Sequence, residues 1–422
     1  MEPHLPPTTS RAELDSQVRS YAQAVLSEWQ ATGVWQPAQQ LRAASRRTTE
    51  EYAGRFLLEL LQNAHDAHPS ARRDGRCRLV LDEDEGPNGA LYVANGGDGF
   101  DWDSVQAICK LARSPKIVGE GIGNKGVGFR SVLHVTSAPE IYSSLTTSFD
   151  GYRFRFASPD DLAALLGDEQ LTARAVAELP PLQVPVPLDE VPVTVSELGS
   201  AGYVTVVRLP LKSAEALTQV RLRFDDLAGS DTPVMLFLER LCELLVERRS
   251  GPAVLARFRL TRDEAPLPGA GQVPGGAGLD DVRLVTADLG ENGSFMIARG
   301  TVCSERLKAT LVAAVANGPL DESYLEWDEP AVVSLALLAD GSHLPSGRLY
   351  TFLPLGRAVA SPAPAHLNAP YFTKLDRSAL DPDHPLNAML TDAAAETAVA
   401  AAAALHGFGH AGARHWATQL VA

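Results

Sequence analysis

A glutamate and an asparagine four residues apart, Glu59 and Asn63 in ELLQNAHDA, are the first residues here whose types and spacing could do chemistry. On a helix that spacing puts both on one face, a turn apart. The pair suits metal-assisted phosphoryl hydrolysis, in which the carboxylate polarises a water while the amide oxygen holds Mg²⁺; a solvated helix face is the plainer reading. A second block, VANGGDGF from Val93 to Phe100, runs from a strand into a turn. Its glycines, Gly97 and Gly99 among them, let the backbone approach a flat ligand, and Asn95 or Asp98 would face an adenine edge. Alone, NGGDG is more often just a tight turn. A third block, GEGIGNKGVGFRS from Gly119 to Ser131, has alternating glycines, a lysine and a following helical stretch, so its backbone N–H groups can cradle phosphates. Its GxGxxG follows a helix and loop, the wrong context for a dinucleotide fold. Nor is it a Walker A loop, because Gly126 follows Lys125 where a Ser or Thr should hold magnesium.

These blocks need elements to carry them. Leu14, Val18, Tyr21, Val25 and Trp29 mark an amphipathic first helix, and a second helical stretch starts at Pro37. Thr48 or Thr49 caps the helix whose apolar face is Phe56, Leu57, Leu60 and Leu61 and which carries Glu59. Two short strands around Pro87–Gly89, a helix over 102–111, a strand at YRFRFAS and a last strand at YVTVVRLPL complete the first unit, with the proline-rich 178–192 as an extended surface insertion. Helices are expected near 214–226 and over 233–249. A second α+β unit then follows, with strands at AVLARFRLT, VRLVTAD, SFMIARG, AVVSLALLA and RLYTFLPL, a helix at SERLKATLVAAV and a flexible linker over 266–281. The domains read as 1–212 and 213–422.

The chain has 422 residues, with 37 Lys plus Arg against 52 Asp plus Glu and a net charge of −15, which excludes a generic nucleic-acid coat. Arg72, Arg73, Arg76 and Arg78 precede the acidic Asp82–Glu85 and read as a solvated turn. Cys77, Cys109, Cys242 and Cys303 are scattered, without zinc-ligand spacing, and read as buried thiols. The N-terminus lacks a secretory pattern, and the run from Ala393 to Leu405 is too short to span a bilayer, so a soluble cytoplasmic protein without a membrane partner is expected.

The order and spacing of the three blocks resemble the N, G1 and G2 boxes of the GHKL ATPase superfamily, which includes gyrase, the ninety-kilodalton heat-shock chaperones, histidine kinases and MutL. The resemblance covers most of 50–395 and is tightest in the boxes. It implies an α+β architecture: a two-layer α/β sandwich that binds ATP, followed by an α+β transducer-like domain. It further implies Glu59 as general base, Asn63 as Mg²⁺ ligand and Asp66 as a nucleotide-side contact. Asn95, Gly97, Asp98, Gly99 and Thr205 fall on the base side. Lys116, Gly123, Lys125, Gly126, Val127, Gly128 and Phe129 fall on the phosphate side, in a mobile lid over about 100–128. The G1 box of the family usually begins with aspartate; Asn95 departs from that, as in the sacsin N-terminal ATPase-like branch, and its side-chain oxygen can accept the same bond without charge. GRLYTFLPLG and APAHLNAPYFTKLDRSAL look like the transducer domain, which makes Arg377, with Lys374 nearby, the γ-phosphate contact.

The implied function is a Mg²⁺-dependent ATP-hydrolysing conformational switch that binds ATP and ADP. It would be part of a chaperone-like, phage-defence or DNA-linked machine, completed by a second copy or a partner subunit through a region beyond Ala422 and reaching a protein client or nucleic acid that way. A non-hydrolysing nucleotide sensor is the alternative. A histidine kinase fits less well, because it lacks the carboxylate four residues before the N-box asparagine.

Overall fold

The computed structural model describes residues 10–32, 55–110, 128–145, 148–229, 232–269, 273–276, 278–356, 359–373, 380–408 and 412–421. Among these, one compact unit holds 10–110, 128–226 and 244–259, and a second holds 227–243 and 260–421.

In the first unit, α1 (Arg11–Thr32) buries Leu14, Val18, Ala22, Leu26 and Trp29, a stripe at helical spacing. Its Arg11 guanidinium donates to the carbonyls of Gly151 (2.6 Å) and Leu188 (3.0 Å), which ties the helix to two distant loops. Next come α2 (Phe56–Asp66), β1 (Gly75–Asp82), β2 (Ala90–Asn95), α3 (Trp102–Cys109), a 3₁₀ turn (Gly128–His134), β3 (Glu140–Ser143) and β4 (Arg153–Phe156). Then follow α4 (Pro159–Leu166), α5 (Glu169–Glu178), β5 (Pro185–Pro187), α6 (Val193–Ser200), β6 (Thr205–Pro210), α7 (Ala214–Ala228), β7 (Leu241–Ser250) and β8 (Ala253–Thr261). The strands form one sheet in the order β5-β4-β3-β6-β2-β1-β7-β8.

One face of this sheet, carrying Val80, Ala90, Tyr92, Ala94, Tyr142 and Val206, is sealed by Val195 and Leu198 of α6. That cluster takes no residue from α2, which packs on β1 and β2. The alternate residues Leu79, Leu91, Val93, Ile141, Val207 and Leu209 are also buried, so the sheet is covered on both faces and α2 lies on the second.

The run 233–249 forms no helix: its second half is strand β7, which pairs beside β1. A leucine-rich run fits either period, and the open edge of β1 decides the matter. The pairing is reinforced by Arg249 on Asp82 (2.9 Å) and Arg248 on Glu83 (2.9 Å). The first unit therefore extends past residue 212, through α7 and the β7–β8 hairpin. The proline-rich stretch is likewise part of the fold, with Leu179, Leu182 and Val184 buried and Pro185–Pro187 on the sheet's edge, where a missing N–H costs least.

The second unit comprises β9 (Asp263–Pro266), β10 (Val273–Pro274), β11 (Leu279–Asp288), β12 (Ser294–Val302), α8 (Ser304–Ala316), β13 (Val332–Leu338), β14 (Leu349–Thr351), β15 (Leu353–Pro354), β16 (His366–Asn368), α9 (Pro385–His406) and α10 (Ala413–Val421). Its sheet runs β10-β11-β12-β13-β16-β14-β15, with β9 on β11 and a parallel β14–β16 pair. Both ends of the segment read as a linker thus carry strand. By length and composition α9 is the one helix among the described residues that could cross a membrane; it is longer than the alanine run because it starts at Pro385. Half of its apolar window is buried, and Leu386, Leu390, Ala393, Ala401 and Leu405 join the core cluster of the second unit. Both units are mixed α+β.

Candidate functional site

Helix α2 holds the first block because Phe56, Leu57, Leu60, Leu61 and Ala64 give it a buried stripe. Glu59 is buried at 6% exposure, whereas Asn63, one turn on, is exposed. The carboxylate is thus partly withdrawn from water and the amide open to it. Asp66 has its side chain buried, with Oδ1 3.1 Å from His65 Nδ1. His68 Nδ1 donates to the Ala64 carbonyl at 2.7 Å, and burial lowers the pKa of this imidazole.

The second block docks on the end of this helix. The Asp98 N–H donates to the Ala67 carbonyl at 2.7 Å, and a Cβ on Gly97 would come within 2.4 Å of that same oxygen, so only glycine lets the turn lie this close. Gly99 is similarly pressed against the Ser144 carbonyl, 2.4 Å from where a Cβ would stand.

The third block enters through its last residues. A Cβ on Gly128 would fall 2.5 Å from Glu59 Oε2, which places the start of the 3₁₀ turn directly over the carboxylate. Phe129 is half-buried. Arg130, which sequence reasoning gave no role, is 2% exposed and donates to the Pro181 carbonyl at 2.6 Å; desolvation lowers its pKa to about 10. It anchors the turn. Lys116, Gly123, Lys125, Gly126 and Val127 lie outside the described residues, with most of the expected lid, as do Lys374 and Arg377.

Strand register completes the site. Asn95 on β2 is directly opposite Thr205 on β6, and Thr205 is opposite Ser143 on β3, so three buried polar side chains form a row across the sheet. Ser143 Oγ accepts from the Phe100 N–H at 2.7 Å, holding the chain after the second block. Asn95 Oδ1 accepts from the Gly97 N–H at 3.1 Å. Thr205 Oγ1 is buried without a partner among the described residues. Ser143 escaped sequence reasoning, since a lone serine in a short strand carries no motif and only the register reveals it.

Among the described residues no group of three or more His, Cys, Asp or Glu could hold a metal. A magnesium held by one amide, waters and substrate phosphates needs no such group. Within the basic run, Arg72 pairs with Asp74 at the surface, as expected of a solvated turn, whereas Arg76 and Arg78 belong to β1 and Arg78 pairs with the buried Glu247 of β7, so the second half of the run is part of the sheet.

No family model matches the chain. Over 191 residues it is 28% identical to Protein NO VEIN of Arabidopsis thaliana, a stretch that is 44% of this chain and 6% of that protein. The chain therefore spans a small part of that relative's length.

Proposed function

We propose that the chain is a Mg²⁺-dependent nucleoside-triphosphate-binding and hydrolysing conformational switch of the GHKL type, ATP being the nucleotide the resemblance implies. One observation carries this reading: three blocks far apart in sequence converge on one end of a sheet, through Asp98 on Ala67, Gly128 on Glu59 and Asn95 opposite Thr205. Glue for a core needs neither an exposed amide a turn from a buried carboxylate nor an unpartnered buried hydroxyl; a bound nucleotide would use both. Glu59 is the general base and Asn63 the magnesium ligand, and the glycine-rich third block is assigned to the phosphates by sequence resemblance. Arg377 and Lys374 are assigned to the γ-phosphate by sequence resemblance alone. The machine that the switch drives, acting as a dimer or with a partner subunit on a protein client or nucleic acid, follows from the same resemblance.

The test is a pair of substitutions on the full chain. Glu59→Ala should retain nucleotide binding and slow hydrolysis by ~10²-fold or more, and Asn63→Ala should lose the magnesium-dependent part of affinity. Equal loss of binding in both would refute these roles, and tight binding without turnover in the wild type would favour the non-hydrolysing sensor.

A further inference from the structure

The Asn95 side chain is oriented by its own turn. Its Oδ1 accepts from the Gly97 N–H at 3.1 Å, which leaves the Nδ2 end of the amide without a partner among the described residues. Turning the amide over would set two donors, Nδ2–H and Gly97 N–H, against each other. Across the strand pair, the Thr205 hydroxyl is also unsatisfied at 2% exposure, on the same face of the sheet. The free polar atoms at this spot are therefore a fixed donor and a hydroxyl that can donate or accept.

We infer that the base edge recognised here carries a carbonyl acceptor beside a ring N–H, so that 6-oxopurine nucleotides such as GTP and ITP bind more tightly than ATP. This rests on the reading of the site as one for a purine nucleotide. The 6-oxo group accepts from Asn95 Nδ2, and the ring N1–H donates to Thr205 Oγ1. Adenine presents the opposite pattern, an amino donor beside a ring acceptor. Threonine can adapt to it by rotating its hydroxyl, but the amide cannot without breaking its bond to Gly97. An aspartate at position 95 would differ in kind: one carboxylate oxygen takes the Gly97 N–H and the other accepts from an adenine amino group. The exchange of aspartate for asparagine thus inverts the polarity of recognition. ATP remains a ligand through its phosphates and ring faces, at reduced affinity.

The test is calorimetric titration of the full chain with the magnesium complexes of ATP, GTP and ITP, repeated on Asn95→Asp. In the wild type GTP and ITP should bind about 10-fold or more tighter than ATP, because a site built to hydrogen-bond one pattern rejects the other by leaving buried groups unpaired. ITP, which lacks the 2-amino group, should match GTP. Asn95→Asp should reverse the order. If ATP binds the wild type as tightly as GTP or more tightly, the inference fails while the nucleotide site stands; if none of the three binds, both fail. The wild-type ranking decides even where Asn95→Asp does not fold.

Discussion

Two glycines at the site separate geometry from stability. At Gly128 a methyl group would first meet, among the described residues, the tip of the Glu59 side chain, whose flexible end gives way more easily than backbone. Gly128→Ala should therefore leave the melting temperature nearly unchanged and slow hydrolysis by ~10-fold to ~10²-fold, as a displaced general base does. At Gly97 the obstacle is the Ala67 backbone carbonyl, 2.4 Å away, which cannot move without α2. Gly97→Ala should lower unfolding free energy by about 1–3 kcal/mol in denaturant titration, as overpacking typically does. These contacts were legible in part, because glycine clusters mark close backbone approaches. What the glycines touch was not, since that depends on the end of α2 meeting a turn some thirty residues on. The hydrogen bond of Asn95 to Gly97 was equally hidden: the residue type allowed the side-chain oxygen to face the ligand, and the turn geometry assigns that oxygen to the backbone.

Elements were legible where a single period dominates. The stripe of α2 and the short apolar runs of β1, β2 and β6 show plainly in the sequence. Strand β7 did not, because its leucines satisfy both periods and its pairing with β1 is a long-range fact. Helix α4 escaped notice although its cap is written locally: Ser158 and Asp161 form a capping box, and Arg155 donates to Asp161. The bond from Arg155, aided by those from Ser158 and opposed by desolvation, lowers the Asp161 pKa to about 2. A carboxylate whose folded pKa is depressed adds stability that is present above its unfolded pKa, about 4, and lost as pH falls through the folded value. Asp161→Asn should therefore lower the melting temperature at pH 7, with the difference from wild type shrinking between about pH 4 and pH 2. A pH-independent difference would mean that the ion pair contributes nothing.

For the molecule as a whole, the first unit is longer than its motifs suggest. A fragment ending at residue 212 lacks β7 and β8, which leaves β1 as an open edge and Asp82 and Glu83 without their arginines. It should melt lower and aggregate more readily than a fragment ending at residue 261, as thermal unfolding and sedimentation would show. The central claim is that the three blocks form one magnesium-dependent nucleotide site, and it is reached most directly by titrating the full chain with purine nucleoside triphosphates, with and without Mg²⁺. The account expects saturable binding that weakens when magnesium is removed and persists in Glu59→Ala. No binding of ATP, GTP or ITP at millimolar concentration with Mg²⁺ present would contradict it.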